Sequence, residues 1–261
     1  MPLTRTIKIK RNFMKAYIIE TVGFSASTAI SMALASNSHN LVTHGTRNFL
    51  KRLPIGNKDM ELGNFVEEML SEMQNGMNAI AVHTLYNPSN IRALADNGDF
   101  DFVSLMRRDQ KAQILSCFYW AMSQFLSGRE RFIRTTFELA TKHNKTLQHC
   151  GLQTNYKNLL ILYAINLVLE WNVALRKNSQ KTIFMEDFIT CPKSTLRELD
   201  MSEIFSDDVV ISKSNSHKSS LKSVDFLSDV PEAAEKMFEN LHFTFGDLTG
   251  SYKKIEDFII R

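Results

Sequence analysis

Short runs of β-forming residues alternate along this chain with longer stretches of helical periodicity, and that alternation admits few folds: it calls for a parallel sheet covered by helices. The runs are AYIIET (16–21), NLVT (40–43), AIAV (79–82), FDFVSLM (100–106) and TIFM (182–185). Between them Leu62, Phe65, Val66, Met69, Leu70 and Met73 recur at helical spacing, as do Leu115, Phe118, Tyr119, Met122, Phe125 and Leu126. Such stripes of methionine and aromatic residues are the faces that helices present to a sheet. The run LLILYAINLVL (159–169) is interrupted by Asn166 and is shorter than the ~20 residues of a membrane span, so it reads as a buried helix and no membrane span is expected. A Ser- and Lys-rich stretch, SKSNSHKSSLKS (212–223), reads as a loop, and PEAAEKMFENL (231–241) as a helix opened by Pro231. A length of 261 residues suits one α/β domain. The expected organisation is a basic N-terminal arm over 1–14 and a single domain over 15–261.

Composition narrows the partners. Hydrophobic residues at 44% and charged residues at 23% describe a globular protein rather than a disordered one. The net charge of +3 is too small to imply nucleic acid, and no nucleic-acid partner is expected. The cations Arg5, Lys8, Lys10, Arg11 and Lys15 precede the first acidic residue, Glu20, and read as a solvated arm. Cys117, Cys150 and Cys191 fall at no metal-ligand or redox spacing, and the start of the chain lacks the apolar core of a secretion signal, so a reduced, cytoplasmic protein is expected. No G-x-x-x-x-G-K-[ST] loop is present, which disfavours an ATP or GTP phosphotransferase.

Two segments carry chemistry. The loop VGFSASTA (22–29) follows one strand and opens a helix, which gathers free backbone N–H groups and a positive helix end at one place. Small side chains at Ser25, Ala26 and Ser27 let an anion approach, and the Ser25, Ser27 and Thr28 hydroxyls add donors; a plain helix cap is the alternative. In RRDQKAQILS (107–116), Arg108 stands at a strand end and Ser116 eight residues on, in the following helix. Together they offer a phosphate a planar fork of donors and a hydroxyl, although an arginine beside an aspartate also suits a structural ion pair.

In order along the chain, these pieces resemble the sulfotransferase family, whose donor motif has Arg and Ser at this spacing after a central strand. The family's cytosolic members carry a 5′-phosphosulfate loop, Thr-Tyr-Pro-Lys-Ser-Gly-Thr-Thr-Trp; residues 21–29 here read Thr-Val-Gly-Phe-Ser-Ala-Ser-Thr-Ala, matching at Thr21, Ser25 and Thr28. AVHTLYNPSNIRAL (81–94) is similar to the segment bearing the family's histidine, with His83 in its place. TIFMEDFITCP (182–192) is similar to a late strand ending in Tyr-Glu-Asp-Leu and a proline, through Glu186, Asp187 and Pro192. A lysine-bearing loop before a helix with AEKM (234–237) completes the series, which extends over about 15–240.

The resemblance implies a P-loop-like α/β fold and the co-substrate 3′-phosphoadenosine-5′-phosphosulfate (PAPS), whose sulfuryl group passes in line to a hydroxyl or amine of a small-molecule or glycan acceptor, with no metal needed. It implies that the backbone from Phe24 through Ser25, Ala26 and Ser27 to Thr28 holds the 5′-phosphosulfate. Arg108, Ser116, Lys213 and Lys218 would hold the 3′-phosphate, though the family's Arg-Lys-Gly pattern is degraded in that last loop. His83 becomes the candidate general base. Two positions depart from the pattern: the loop lysine is replaced by Phe24 and the lysine two residues before the histidine by Ala81. Losing one such donor typically costs ~10²–10³ in rate. Arg47, in the turn after the second strand, is the candidate substitute, and His44 in the same turn is a rival base. A binding protein without chemistry is therefore the alternative. The acceptor pocket is expected in loops at 44–60, 84–98 and 127–156.

Overall fold

Five segments rich in β-branched and aromatic residues form one parallel sheet in the computed structural model, which describes residues 15–44, 71, 77–84, 91–96, 98–206, 211 and 227–240. The strands are β1 (Ala16–Glu20), β2 (Asn40–His44), β3 (Asn78–Val82), β4 (Asp101–Met106) and β5 (Lys181–Phe184). They lie in the order β2-β3-β1-β4-β5, so β1 is central between β3 and β4. Each of the five expected strands is present, with ends displaced by a residue or two; Met185, expected in the last strand, opens a helix instead.

The helices are α1 (Ser27–Ala35), α2 (Ile91–Ala95), α3 (Gln110–Leu126), α4 (Glu130–His149), α5 (Tyr156–Asn178), α6 (Met185–Thr190), α7 (Pro192–Glu198) and α8 (Val230–Asn240), with a 3₁₀ turn at Ser202–Ile204. A strand covered on both sides reads as a near-continuous apolar run, as β1 does from Ala16 to Ile19: Tyr17 and Ile19 pack with Ile30 and Leu34 of α1, Phe188 of α6 and Leu196 of α7, while Ala16 and Ile18 pack with Phe118 of α3 and Leu160 of α5. The sheet thus has α1, α6 and α7 on one face and α2, α3, α4, α5 and α8 on the other.

Helix α5 is long and apolar enough, by length and composition alone, to cross a membrane, yet Leu160, Ile161, Leu162, Ile165 and Val168 are fully buried in this core. That is the buried helix expected from the sequence. The segment 127–156, expected as a variable loop, is instead mostly α4. That stretch is mostly polar, with Phe132 and Leu147 buried while Ile133 and Phe137 remain exposed. The basic arm, the helical stripe at 62–73 apart from Ser71, the loop at 212–223 and the tail at 245–261 lie outside the described residues.

Candidate functional site

In a parallel sheet every strand points the same way, so the residues that follow the strands share one edge, where open α/β sheets bind ligands. Glu20 and the loop to Ala26 follow β1, His44 ends β2, His83 and Thr84 follow β3, Arg107 and Arg108 follow β4, and Glu186 and Asp187 follow β5. Topology therefore delivers most of the sequence candidates to one rim.

The loop into α1 has a backbone unlike an ordinary cap. Gly23, Phe24 and Ala26 all have positive φ, at 90°, 57° and 55°. Left-handed backbone costs a residue with a Cβ about 1–2 kcal/mol, so Phe24 and Ala26 sit there only because their surroundings hold them. Where α3 is capped by Asp109, which accepts from the Ala112 N–H at 2.8 Å, α1 begins at Ala26 with no side-chain cap. No side chain thus caps α1, whose first-turn N–H groups carry the helix's partial positive charge toward the rim.

A buried polar relay grips this loop. Gln113 on α3 donates its amide to the Gly23 carbonyl at 3.0 Å and to Ser25 Oγ at 2.8 Å, and its own carbonyl accepts from Asn172 Nδ2 on α5 at 3.1 Å. The Ser25 hydroxyl donates to the Gly23 carbonyl at 3.2 Å, so it turns inward. The Phe24 ring packs against Trp120 of α3, with centroids 5.7 Å apart. The family's lysine position is therefore occupied here by a core-anchoring ring.

Both histidines reach the loop. His83, itself at φ 53°, brings its Nδ1 to 2.7 Å from the Thr21 carbonyl. A carbonyl only accepts, so Nδ1 carries the proton and Nε2 keeps the lone pair. That Nε2 edge lies over Gly23, close enough that a Cβ on Gly23 would meet it at 3.5 Å. His44 Nε2 stands 3.0 Å from Ser27 Oγ and 3.4 Å from Thr28 Oγ1, and its ring is 5.5 Å from that of His83. The Ser27 and Thr28 hydroxyls thus meet a histidine at the head of α1. Burial pushes His44 below its ordinary range and His83 down to about 4, so both are neutral near pH 7.

Beneath His83 lies a residue that sequence reasoning passed over. Glu20 is wholly buried and accepts from the Thr21 N–H at 3.0 Å, the Thr84 N–H at 3.2 Å and the Thr84 hydroxyl, with its Oε1 3.9 Å from His83 Nδ1. Burial outweighs these hydrogen bonds and pushes Glu20 up to about 7. A carboxylate ending an otherwise apolar strand was the available signal.

Arg108 takes the strand-end place expected of it, but in an ion pair with Asp187, at 2.6 Å, rather than with the adjacent Asp109. Its guanidinium lies 4.0 Å from the Phe184 ring centroid and stays more than half exposed. Ser116 points back along its helix, donating to the Ala112 carbonyl at 2.7 Å. Arg47, Lys213 and Lys218 lie outside the described residues. Ala81, at the other departure from the family pattern, is fully buried within β3.

No protein-family model and no curated protein matches the chain. Among solved structures, the fold matches a sulfotransferase from Alicyclobacillus acidocaldarius over 92% of this chain and 98% of that one, at 16% identity and a TM-score of 0.40. A likeness at that level carries no argument about chemistry.

Proposed function

We propose that this protein binds PAPS at the carboxyl edge of its sheet and transfers the sulfuryl group to an acceptor hydroxyl or amine. The observation that carries the reading is the placement of the His83 Nε2 lone pair over Gly23, at the mouth of an uncapped loop with three left-handed residues. Such a loop suits a phosphosulfate, because clustered N–H groups and a helix end favour an anion. The phosphosulfate lies on the backbone from Phe24 to Thr28, and Arg108, Ser116 and the lysines Lys213 and Lys218 serve the 3′-phosphate. For these roles Arg108 exchanges Asp187 for the ligand, and Ser116 releases its bond to Ala112.

The reaction is in-line displacement at sulfur. The acceptor oxygen forms the new O–S bond while the bond from sulfur to the bridging phosphate oxygen breaks, and the leaving nucleotide takes that electron pair. The acceptor's proton goes to His83 Nε2, with the neighbouring His44 as the rival base. The protein's contribution is placement and charge stabilisation, as in phosphoryl transfer. Arg47 is the proposed cation in place of the lysines absent at Phe24 and Ala81, and the acceptor is a small molecule or glycan.

A second reading, nucleotide binding without chemistry, is favoured by the Phe24 ring seated on Trp120 and by the buried Ala81. Calorimetric binding of 3′-phosphoadenosine 5′-phosphate against ADP and ATP, followed by an acceptor screen with sulfur-labelled PAPS, separates the two. Selective binding with transfer supports the enzyme, selective binding without transfer supports the second reading, and equal binding of all three nucleotides removes both.

A further inference from the structure

We propose that Glu20 is a positioning residue for the base: its ionised carboxylate, beside His83 in the same buried pocket, balances the imidazolium that forms when His83 Nε2 takes the acceptor's proton. This deepens the sulfuryl-transfer reading and rests on it. The geometry is a carboxylate oxygen 3.9 Å from His83 Nδ1, with no exposed surface on Glu20 and only 13% exposure of the His83 side chain. Water screens such a pair little. Glu20 cannot swing away, because Thr21 and Thr84 hold both of its oxygens. Its register partner on β4 is the neutral Ser104, the side chain that α3 offers the adjoining loop is the neutral amide Gln113, and beyond His83 the next titratable ring is His44.

A histidine buried alone is a weak base, and burial does hold His83 down to about 4. An opposite charge within ~4–6 Å raises the proton affinity of a histidine about 10- to 10³-fold. Glu20 supplies that charge only while ionised, above about pH 7. Below that pH a proton rests on Glu20 and the help is gone. The two groups therefore titrate as a pair. The acceptor O–H bond breaks, the N–H bond forms at Nε2, and the carboxylate changes neither its bonds nor its proton count during the step.

The test compares Glu20→Gln with the unaltered protein from pH 5.5 to 8.5, by turnover with labelled PAPS and by NMR titration of the His83 ring. Turnover of Glu20→Gln should be lower by about 10- to 10³-fold above pH 7.5, and the two proteins should converge below pH 6. The His83 signals should show a step near neutrality in the unaltered protein and none in Glu20→Gln. Thr84→Val removes a bond that lowers Glu20, so it should move both the step and the rate limb to higher pH, which keeps the idea testable if Glu20→Gln folds poorly. A loss of turnover that is the same at every pH, or a Thr84→Val limb that stays in place, overturns the proposal. If the unaltered protein neither binds 3′-phosphoadenosine 5′-phosphate nor moves sulfate, the transfer reading fails; the NMR step and its loss in Glu20→Gln then decide the Glu20–His83 coupling alone.

Discussion

Replacing Gln113 by leucine keeps the side chain's bulk and removes all of its hydrogen bonds. The Gly23 carbonyl retains its bond from Ser25, but Asn172 Nδ2 loses Gln113 in a helix face where Asn172 is 1% exposed. A stranded buried amide costs about 1–3 kcal/mol, and each hydrogen bond lost from the loop about 0.5–1.5 kcal/mol. We expect a total of about 2–6 kcal/mol, which at ~2–4 °C per kcal/mol lowers the midpoint of thermal unfolding by about 4–24 °C. The loop loses its brace as well, so on the proposed function affinity for 3′-phosphoadenosine 5′-phosphate should fall. Asn172→Leu alone strands the Gln113 carbonyl and costs about 1–3 kcal/mol, whereas the double variant leaves neither partner stranded. The double variant should therefore be more stable than the sum of the singles by about 1–2 kcal/mol. Circular dichroism melts and calorimetric titration give both numbers. Strict additivity, with nucleotide affinity unchanged, would refute the relay as the loop's support.

Arg108→Ala should weaken 3′-phosphoadenosine 5′-phosphate by about 1.5–3 kcal/mol, roughly 10- to 100-fold, and leave AMP nearly untouched in a binding titration; equal losses for both ligands remove the 3′-phosphate assignment. His83→Ala should lower turnover by about 10²–10⁴ with nucleotide affinity held within a few-fold. If His44→Ala shows that separation and His83→Ala does not, the base is His44. Ser27→Phe, beside the loop at the head of α1, should abolish nucleotide binding while the far-ultraviolet spectrum is kept, and unchanged affinity would mean that the anion sits elsewhere.

The strands were legible because a strand buried on both faces is written as an unbroken apolar run, as in β1 and β3. So were the loop at 22–28 and the place of Arg108, since a strand end followed by small residues or a helix start leaves a local signature. What the sequence did not disclose is tertiary. Gln113 and Gly23 are 90 positions apart and Asn172 and Gln113 are 59 apart, so nothing local marks them as partners. Glu20 was visible as a charge at the end of a buried strand, but its partner Thr84 and its approach to His83 depend on β1 and β3 lying side by side. Helix α4 is hard to see in the sequence because most of its residues are polar, so few apolar positions mark its buried face.

The excursion between β4 and β5 also sets an order in time. It holds three long helices, α3 to α5, with Gln113 near its start and Asn172 near its end. Asn172 follows Gly23 by 149 positions (172 less 23). A ribosome adding about 5–20 residues per second takes about 7–30 s to cover that stretch. During that interval the loop between β1 and α1 exists without its full brace, because nothing on α5 yet secures Gln113. The loop thus gains its full brace only when the last helix of the excursion docks, so a chain that stops short of Asn172 carries the loop in its sequence without that support.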